Sequence, residues 1–477
     1  MTTQPPEKTP GEVTEKGANR FREALAAFES RNFRILFTGR LTSNMARSMR
    51  VFLRSWLTLE LTNSPFLMGV VASSLSWPML VVPFIGGVLA DRVNRKTLLL
   101  WTEGLLTVLW AFTAMCVMFG AWEIGPTPLR IQWWHFTITS FLSGVIQSIG
   151  RPGHQAMVGS VVDRKRLAGA VALDSVSDTW PRVGGPAIAA VAIAALGGDW
   201  HTWGPWLFGL TSLGQGLTFI TILMLKWEPN MEVAKKRTKD NEQPIWKDFT
   251  EGIKILKGHQ VLGALVLLGL SFHLLAGGAQ FLLPVFARDV LGGGGENGAV
   301  IQGVLNTSST IGNSIGALVI VFLATFRNRG LLLLGVALLH SVSVIVFSQS
   351  TILALSVGLT MVNTMTSMFF RTTQRVLMQM SAPDDMRGRV MSLDVVQNGL
   401  NPIGVLIWGS IAQVLQGKYG LAEGTQMTWL IGGIMYGIIA IVFFAFVPNL
   451  RKFKWDTETQ GQVEVVPVGR GRRGGRE

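Results

Sequence analysis

Residues 86–96, which read GGVLADRVNRK, determine how this chain folds. About twenty mostly apolar residues precede them, from Phe66 to Ile85, and about twenty follow, from Thr97 to Phe119. A helix needs about 20 apolar residues to cross a bilayer, so a link this short predicts two antiparallel spanning helices. The basic residues of the link place it on the cytoplasmic side of the membrane.

The composition excludes a soluble globular protein. Of the 477 residues, 48% are apolar and 15% are charged, and the apolar residues form long blocks rather than amphipathic patterns. The net charge of +13 lies mainly in loops on one side of the predicted membrane, an asymmetry typical of membrane proteins and not of nucleic-acid binding. The one cysteine, Cys116, excludes a disulfide framework, and no metal site is predicted.

The apolar blocks predict an all-α membrane protein with twelve transmembrane helices. Both termini are expected in the cytoplasm, and the membrane is expected to be a bacterial-type inner or plasma membrane. The predicted spans cover about 33–61, 66–90, 97–119, 134–158, 167–196, a sixth ending near 227, 261–290, 299–325, 330–349, 352–380, 389–416 and 426–447.

Polar segments divide the chain into five parts. The predicted order is a cytoplasmic tail (1–32), a six-helix bundle (33–227), a cytoplasmic linker with an amphipathic helix (228–259), a second six-helix bundle (260–448) and a disordered basic tail (449–477). The bundles are pseudo-symmetric repeats, because an offset of 220 residues aligns Arg151 with Arg371 and Asp174 with Asp394.

Four arginines follow one face of the predicted first helix: Arg40, Arg47, Arg50 and Arg54. At 100° per residue they fall within an arc of about 80°. Each would cost at least about 2.5 kcal/mol if it faced lipid, so they are expected to line a central cavity or to meet acids. Guanidinium binds carboxylate and phosphate bidentately, which makes Arg40, Arg47 and Arg50 substrate-binding candidates. The alternative is that Arg40 and Arg54 extend to the two membrane interfaces.

Acids on other helices are candidates for proton coupling. The predicted fifth helix carries Asp174, Asp178 and Arg182 on one face. An acid poised between desolvation and a nearby arginine can load and release a proton, so Asp178 is the first candidate, and Asp174, Glu103 and Asp394 follow. Arg182 is a further substrate-binding candidate, although a static ion pair with Asp178 is equally consistent, and Asp394 also suits a helix N-cap.

Three histidines could carry protons by residue type, namely His135, His273 and His340. They are scattered in the sequence, so ordinary packing is favoured for them. The Gly184-Gly185-Pro186 segment is predicted to break the fifth helix or to allow close packing there.

Residues 86–96 resemble the signature loop between the second and third helices of the major facilitator superfamily. The matching positions are Gly87, Leu89, Ala90, Asp91, Arg92, Arg95 and Lys96, and Asn94 replaces the usual glycine. The resemblance implies a twelve-helix carrier that works by alternating access. It also implies that this loop gates the cytoplasmic side, where Arg151 is expected to pair with Asp91, and Arg371 is its counterpart in the second half.

Three more segments, residues 64–69, 155–186 and 387–404, look like the enterobactin-exporter branch of that superfamily. The resemblance implies proton-driven export of siderophores, drugs or other secondary metabolites. Two departures stand out: Asp174 occupies a position where the branch usually has asparagine, and His154 one where it often has arginine.

The predicted function is export of a small organic anion in exchange for protons. The substrate cavity is expected between the halves, lined by helices one, four, five, seven, ten and eleven. No cofactor is expected beyond the proton gradient, and the expected partners are the substrate and the bilayer, with no nucleic acid and a monomeric carrier. No clustered nucleophile and base indicates an enzyme. An importer or facilitator of an organic anion is the alternative.

Overall fold

A computed structural model describes residues 26–79, 82, 94–158, 161–162, 166–225, 259–295, 297–323, 326, 328–382, 387–451 and 453. Long helices make up nearly all of this part, and no strand occurs in it. Residues 228–258 of the predicted linker and most of both predicted tails lie outside the described residues, as do residues 86–93 of the signature loop.

The first half contains six helices in the described ranges. Their bounds are Arg31–Thr62, Pro65–Ser74, Arg95–Ala121, Trp133–Val158, Leu167–Ala195 and Trp200–Met224. They correspond to the first six predicted spans, and the second is described only in its first part.

The second half also contains six helices in the described ranges. Their bounds are Gln260–Ser271, which continues through irregular turns to Leu291, then Gly298–Phe322, Arg329–Ser348, Leu353–Ser381, Arg387–Gly399 with Asn401–Tyr419, and Leu421–Phe446. Eight of the helices in the described ranges are long and apolar enough to cross a membrane. Four of the described helices are outside that group: the first, which carries six arginines, the second, of which only ten residues are described, and the fourth and fifth. The predicted all-α membrane fold is confirmed.

The turn between the first two helices shows how local sequence sets the helix ends. Asn63 closes the first helix at φ 46°, in the left-handed region that asparagine tolerates. Ser64 then caps the second helix by accepting a hydrogen bond from the Leu67 amide, and Pro65 occupies its first turn. Two antiparallel helices therefore follow one another with almost no loop.

Each half has its own buried core. In the first half Leu53, Val117 and Trp203 pack together, and in the second half Phe272 and Phe370 do so. Many large apolar side chains stay exposed on the outer faces of both halves, such as Val108 at 69% and Val414 at 73%. An apolar outer surface is what a lipid environment requires.

Local expectations at two points are wrong. The fifth helix is not broken but continuous from Leu167 to Ala195, although Pro181 and Pro186 lie inside it. The close packing expected there as the alternative is present, because a Cβ on Gly185 would lie 2.9 Å from the Met49 backbone nitrogen of the first helix. The twelfth helix begins at Leu421, five residues before the predicted start.

The two halves contact each other at the end of the bundle where the first helix ends, called here the Asn63 end. The Gln416 side chain donates to the Asn63 carbonyl at 2.9 Å, and Arg288 donates to the Asn63 side chain at 2.7 Å. Ser64 donates to Gln413 at 2.5 Å. The hydrogen bonds between halves that the described residues show therefore hold this end together.

Candidate functional site

A polar cavity of about 310 Å³ opens in the first half of the molecule. Its charged and titratable lining residues are Arg40, Arg47, Arg50, Glu103, His154, Asp174 and Asp178. Residues of the first, third, fourth, fifth and sixth helices line it, together with Met79 of the second predicted span. The lining residues of this cavity all belong to the first half. A substrate cavity between the halves that the seventh, tenth and eleventh helices also line stays a prediction.

The first two arginines of the row, Arg40 and Arg47, form ion pairs with acids on the fifth helix. Arg40 Nε lies 2.9 Å from Asp174 Oδ1, and an Arg47 nitrogen lies 3.3 Å from Asp178 Oδ1. Arg182 donates to the other oxygen of Asp178 at 2.7 Å. The arginines thus line the cavity and meet acids at the same time, and Asp178 lies between two guanidinium groups.

The last two arginines of the row, Arg50 and Arg54, are buried. Arg50, 5% exposed, donates to the Thr211 carbonyl and to Gln215 Oε1, both at 2.9 Å. Its guanidinium also lies 4.5 Å from the centre of the Trp110 ring, a cation–π distance. Arg54 is buried and donates to Ser140. The idea that Arg54 extends to a membrane interface is therefore wrong, and Arg40 is held by Asp174 within the cavity wall.

Glu103 joins the third, fourth and sixth helices. Its Oε1 lies 3.0 Å from His154 Nε2, and its Oε2 accepts a hydrogen bond from Gln215 Nε2 at 2.5 Å. The carboxyl is 5% exposed. Sequence reasoning chose Glu103 but missed both partners, which lie 51 and 112 residues away in the chain. The one available signal was His154 itself, a polar residue that departs from the branch pattern.

The charges around the cavity balance. Three lining arginines, Arg40, Arg47 and Arg50, face three lining carboxylates, Glu103, Asp174 and Asp178. An anion that enters must therefore compete with built-in carboxylates for the guanidinium groups.

The second half places its counterparts differently. Asp394 pairs with Arg375 at 2.9 Å and lies well inside its helix, so the N-cap role is wrong. Asn398, which aligns with Asp178 at the offset of 220, lies 3.2 Å from His273 Nε2. Asp178 of the fifth helix and Asn398 of the eleventh helix thus each contact the first helix of their own half. Asp178 contacts Arg47, and Asn398 contacts His273.

The three histidines proposed from residue type lie outside the large cavity. His135 binds the backbone at Pro128 and Gln132. His340 lies 3.0 Å from the Thr366 hydroxyl and lines a separate cavity of about 30 Å³ in the second half.

The gating candidates are described only in part. Gly87, Asp91 and Arg92 lie outside the described residues, and so do the side chains of Arg95 and Arg151. The Lys96 ammonium donates to the Leu225 carbonyl at 2.7 Å, at the end of the sixth helix, where a cation interacts favourably with the helix dipole. Arg371 contacts the Ser367 carbonyl of its own helix at 3.4 Å.

Solved structures of transporters share this fold. The nucleoside transporter NupG superposes with a TM-score of 0.65 at 15% identity, over 87% of this chain and 98% of that chain. A bacterial homologue of the human lysosomal transporter Spinster, in an inward-facing and unoccupied conformation, gives 0.62 at 13% identity, over 89% and 98%.

Relatives in sequence extend over most of the chain. The staphyloferrin A transporter of Staphylococcus aureus is 25% identical over 421 residues, which are 85% of this chain and 94% of that protein. The enterobactin exporter EntS of Shigella boydii is 25% identical over 394 residues, 83% of this chain and 86% of that protein. The transmembrane secretion effector model matches residues 22–456. The chain therefore belongs to the transmembrane secretion effector family of major facilitator transporters, and it is an integral membrane transporter rather than an enzyme.

Proposed function

We propose that this transporter exports a small organic anion across a bacterial inner membrane in exchange for protons. It would act as a monomer with both termini in the cytoplasm. The proposal is supported by an exporter among its relatives and by the charged lining of the cavity. The observation that carries it is the position of Asp178 between Arg47 and Arg182.

Arg47 is the guanidinium that an anion can take over most easily. Its side chain is 38% exposed, and its contact with Asp178 is the longer of the two that this carboxylate makes, at 3.3 Å against 2.7 Å. If Arg47 turns to a ligand, Arg182 still pairs with Asp178, so no uncompensated carboxylate remains. Arg40 and Arg50 would add charge on either side of the bound anion.

Alternating access would move the two halves against each other around this site. The contacts at the Asn63 end hold one side together, so the cavity would load from the opposite side of the bundle. Export would then require the Asn63 end to separate and the opposite side to close, with the signature loop as the gate.

Proton exchange would use the same ion pairs. An anion at Arg47, or a proton on a cavity carboxylate such as Asp178, each opens the pair between the first and fifth helices. An empty carrier keeps the pair closed. We expect the carrier to change conformation only when an anion or a proton has opened this pair. It then carries the anion in one direction across the membrane and the proton in the other.

A second candidate is transport of an anion and a proton in the same direction, as in an importer or facilitator. The same geometry supports it, because protonation of Asp178 removes the charge that attracts Arg47, and the two ligands then favour each other's binding. The direction of the pH gradient that drives anion uptake therefore distinguishes the two candidate functions.

Everted membrane vesicles with an imposed pH gradient provide the test. Probes are citrate, a carboxylate, and dihydroxybenzoate, a catecholate, and the neutral sugar glucose is the control. Anion uptake driven by an acidic vesicle lumen supports exchange and export. Uptake driven by an acidic outer medium supports the second candidate, and anion uptake that no pH gradient of either sign changes contradicts both.

A further inference from the structure

The hydrogen bonds around Glu103 connect four helices of the first half, whereas the ion pairs of the fifth helix connect it only to the first. Arg50, Gln215, Glu103 and His154 form one continuous chain of contacts at 2.9, 2.5 and 3.0 Å. It runs from the first helix through the sixth and third helices to the fourth. From this geometry we infer that Glu103 and His154 together form a second proton-binding site, which coupled transport needs in addition to Asp178. This inference rests on the proposed function, because it takes transport to be coupled to protons.

Arg50 sets the orientation of the Gln215 amide. A guanidinium can only donate hydrogen bonds, so the group that faces Arg50 must be the amide oxygen of Gln215. The amide nitrogen of Gln215 is then turned towards Glu103 and must donate to Oε2. The ambiguity that normally attaches to a glutamine amide is removed here by its neighbour.

The fixed amide confines a proton on Glu103 to one oxygen. The amide nitrogen of Gln215 can only donate, so a proton on Oε2 would find no acceptor in Gln215. A proton on Oε1 instead faces His154 Nε2 at 3.0 Å, which can accept it. With the carboxylate ionised, His154 Nε2–H donates to Oε1. With the carboxyl protonated, Oε1–H donates to Nε2, so the hydrogen bond persists in both states.

The second ring nitrogen of His154 provides the entry to this pair. His154 Nδ1 is buried and has no hydrogen-bond partner among the described residues, although His154 lines the cavity. A proton therefore reaches Nδ1 only when the ring turns towards the cavity. A proton that arrives on Nδ1 allows the Nε2 proton to pass to Oε1, and the reverse transfer releases it. The imidazole thus connects the buried carboxyl to the cavity without moving Glu103.

Charged groups from two neighbouring helices face the pair. The first helix contributes Arg50 next to Glu103, with Arg47 and Arg54 beside Arg50. The fifth helix contributes Asp174, whose charge acts on His154, and Asp178 of the same helix and Arg40 of the first helix lie beyond it. The contact from the sixth helix, Gln215, is neutral. Arg50 therefore belongs to both the anion site and the proton site, and an anion bound to it would alter its hold on Gln215.

Infrared difference spectra of the full chain in lipid nanodiscs, recorded without any substrate between mildly acidic and mildly alkaline buffer, test this inference. In the wild type we expect a carboxylic C=O band on acidification. Glu103→Gln should remove that band. Gln215→Leu and His154→Gln should shift it, because each removes the hydrogen-bond partner of one carboxyl oxygen.

A matched carboxylate–histidine pair outside the cavity serves as the control. Asp199 lies 2.8 Å from His201, both side chains are about half exposed, and the hydrogen bond from His201 lowers the pKa of Asp199. Asp199→Asn keeps a good N-cap and should leave the band unchanged.

An unchanged band in Glu103→Gln would overturn the inference. If that variant does not fold, a band that moves in neither Gln215→Leu nor His154→Gln would overturn it equally. A wild type that shows the Glu103 band but no uptake driven by a pH gradient would contradict the proposed function alone. Gradient-driven uptake that survives in a folded Glu103→Gln variant would contradict the proton site alone.

Discussion

The Arg47 guanidinium lies 3.3 Å from the Asp178 carboxylate, and that carboxylate also accepts a hydrogen bond from Arg182 at 2.7 Å. Arg47 and Asp178 belong to helices that are separated by more than a hundred residues, yet they share one cavity. Because Asp178 contacts two guanidinium groups, it keeps one of them when the other binds a ligand. This relationship makes Arg47 the exchangeable member of the site.

Replacing Arg47 by glutamine should weaken anion binding about tenfold and leave binding of neutral ligands unchanged. The physical reason is the loss of a charge-assisted hydrogen bond, worth about 1.5 kcal/mol in a partly solvated site. The loss of anion binding is measured as a smaller rise in melting temperature when citrate is added to the purified variant than when it is added to the wild type. Arg130→Gln, in the loop before the fourth helix, is the matched control. Equal losses for charged and neutral ligands would assign Arg47 a structural role.

Replacing Asp178 by asparagine should have the opposite effect on binding. It removes the built-in competitor for Arg47 and Arg182, and a half-exposed ion pair of this kind contributes about 0.5–1 kcal/mol. Citrate should therefore bind about two- to fivefold more tightly, and exchange across the membrane should slow because release is slower. Weaker binding of citrate in this variant would contradict the competition between ligand and carboxylate.

Gly303→Ala should loosen the contact between the fifth and eighth helices. A Cβ atom at this position would lie 2.5 Å from the Cβ of Ala190, and overpacking of this kind costs about 1–3 kcal/mol. A cysteine introduced by Ala190→Cys should then react faster with a water-soluble maleimide. Gly335→Ala is the matched control, since nothing lies within 4 Å of the added atom. Unchanged labelling in Gly303→Ala would show that this contact does not hold the halves together.

Asn63 has two separable roles, one in the backbone and one in the side chain. Asn63→Gly keeps the residue compatible with φ 46° but removes the oxygen that accepts from Arg288. Asn63→Ala removes that oxygen and adds a backbone cost of about 1–2 kcal/mol. We therefore expect the alanine variant to have the lower melting temperature in detergent, with both variants below the wild type. Equal melting temperatures for the two variants would contradict the backbone role.

The order of residues along the chain was enough to establish the architecture. Twelve apolar blocks, their basic inner loops and the repeat at an offset of 220 predict two six-helix bundles, because only helices satisfy the backbone polar groups in lipid. The same cost of placing charge in lipid predicted that Arg40, Arg47 and Arg50 face inward, and they line the cavity.

Partners across helices required the folded molecule. Helical periodicity shows which face a residue occupies, but it contains no information on the depth and rotation of the neighbouring helix. For that reason the contacts of Glu103 with His154 and Gln215, the burial of Arg54 against Ser140 and the continuity of the fifth helix through Pro186 could not be predicted. Periodicity is a local property of one helix, whereas each of these features depends on how separate helices pack in three dimensions.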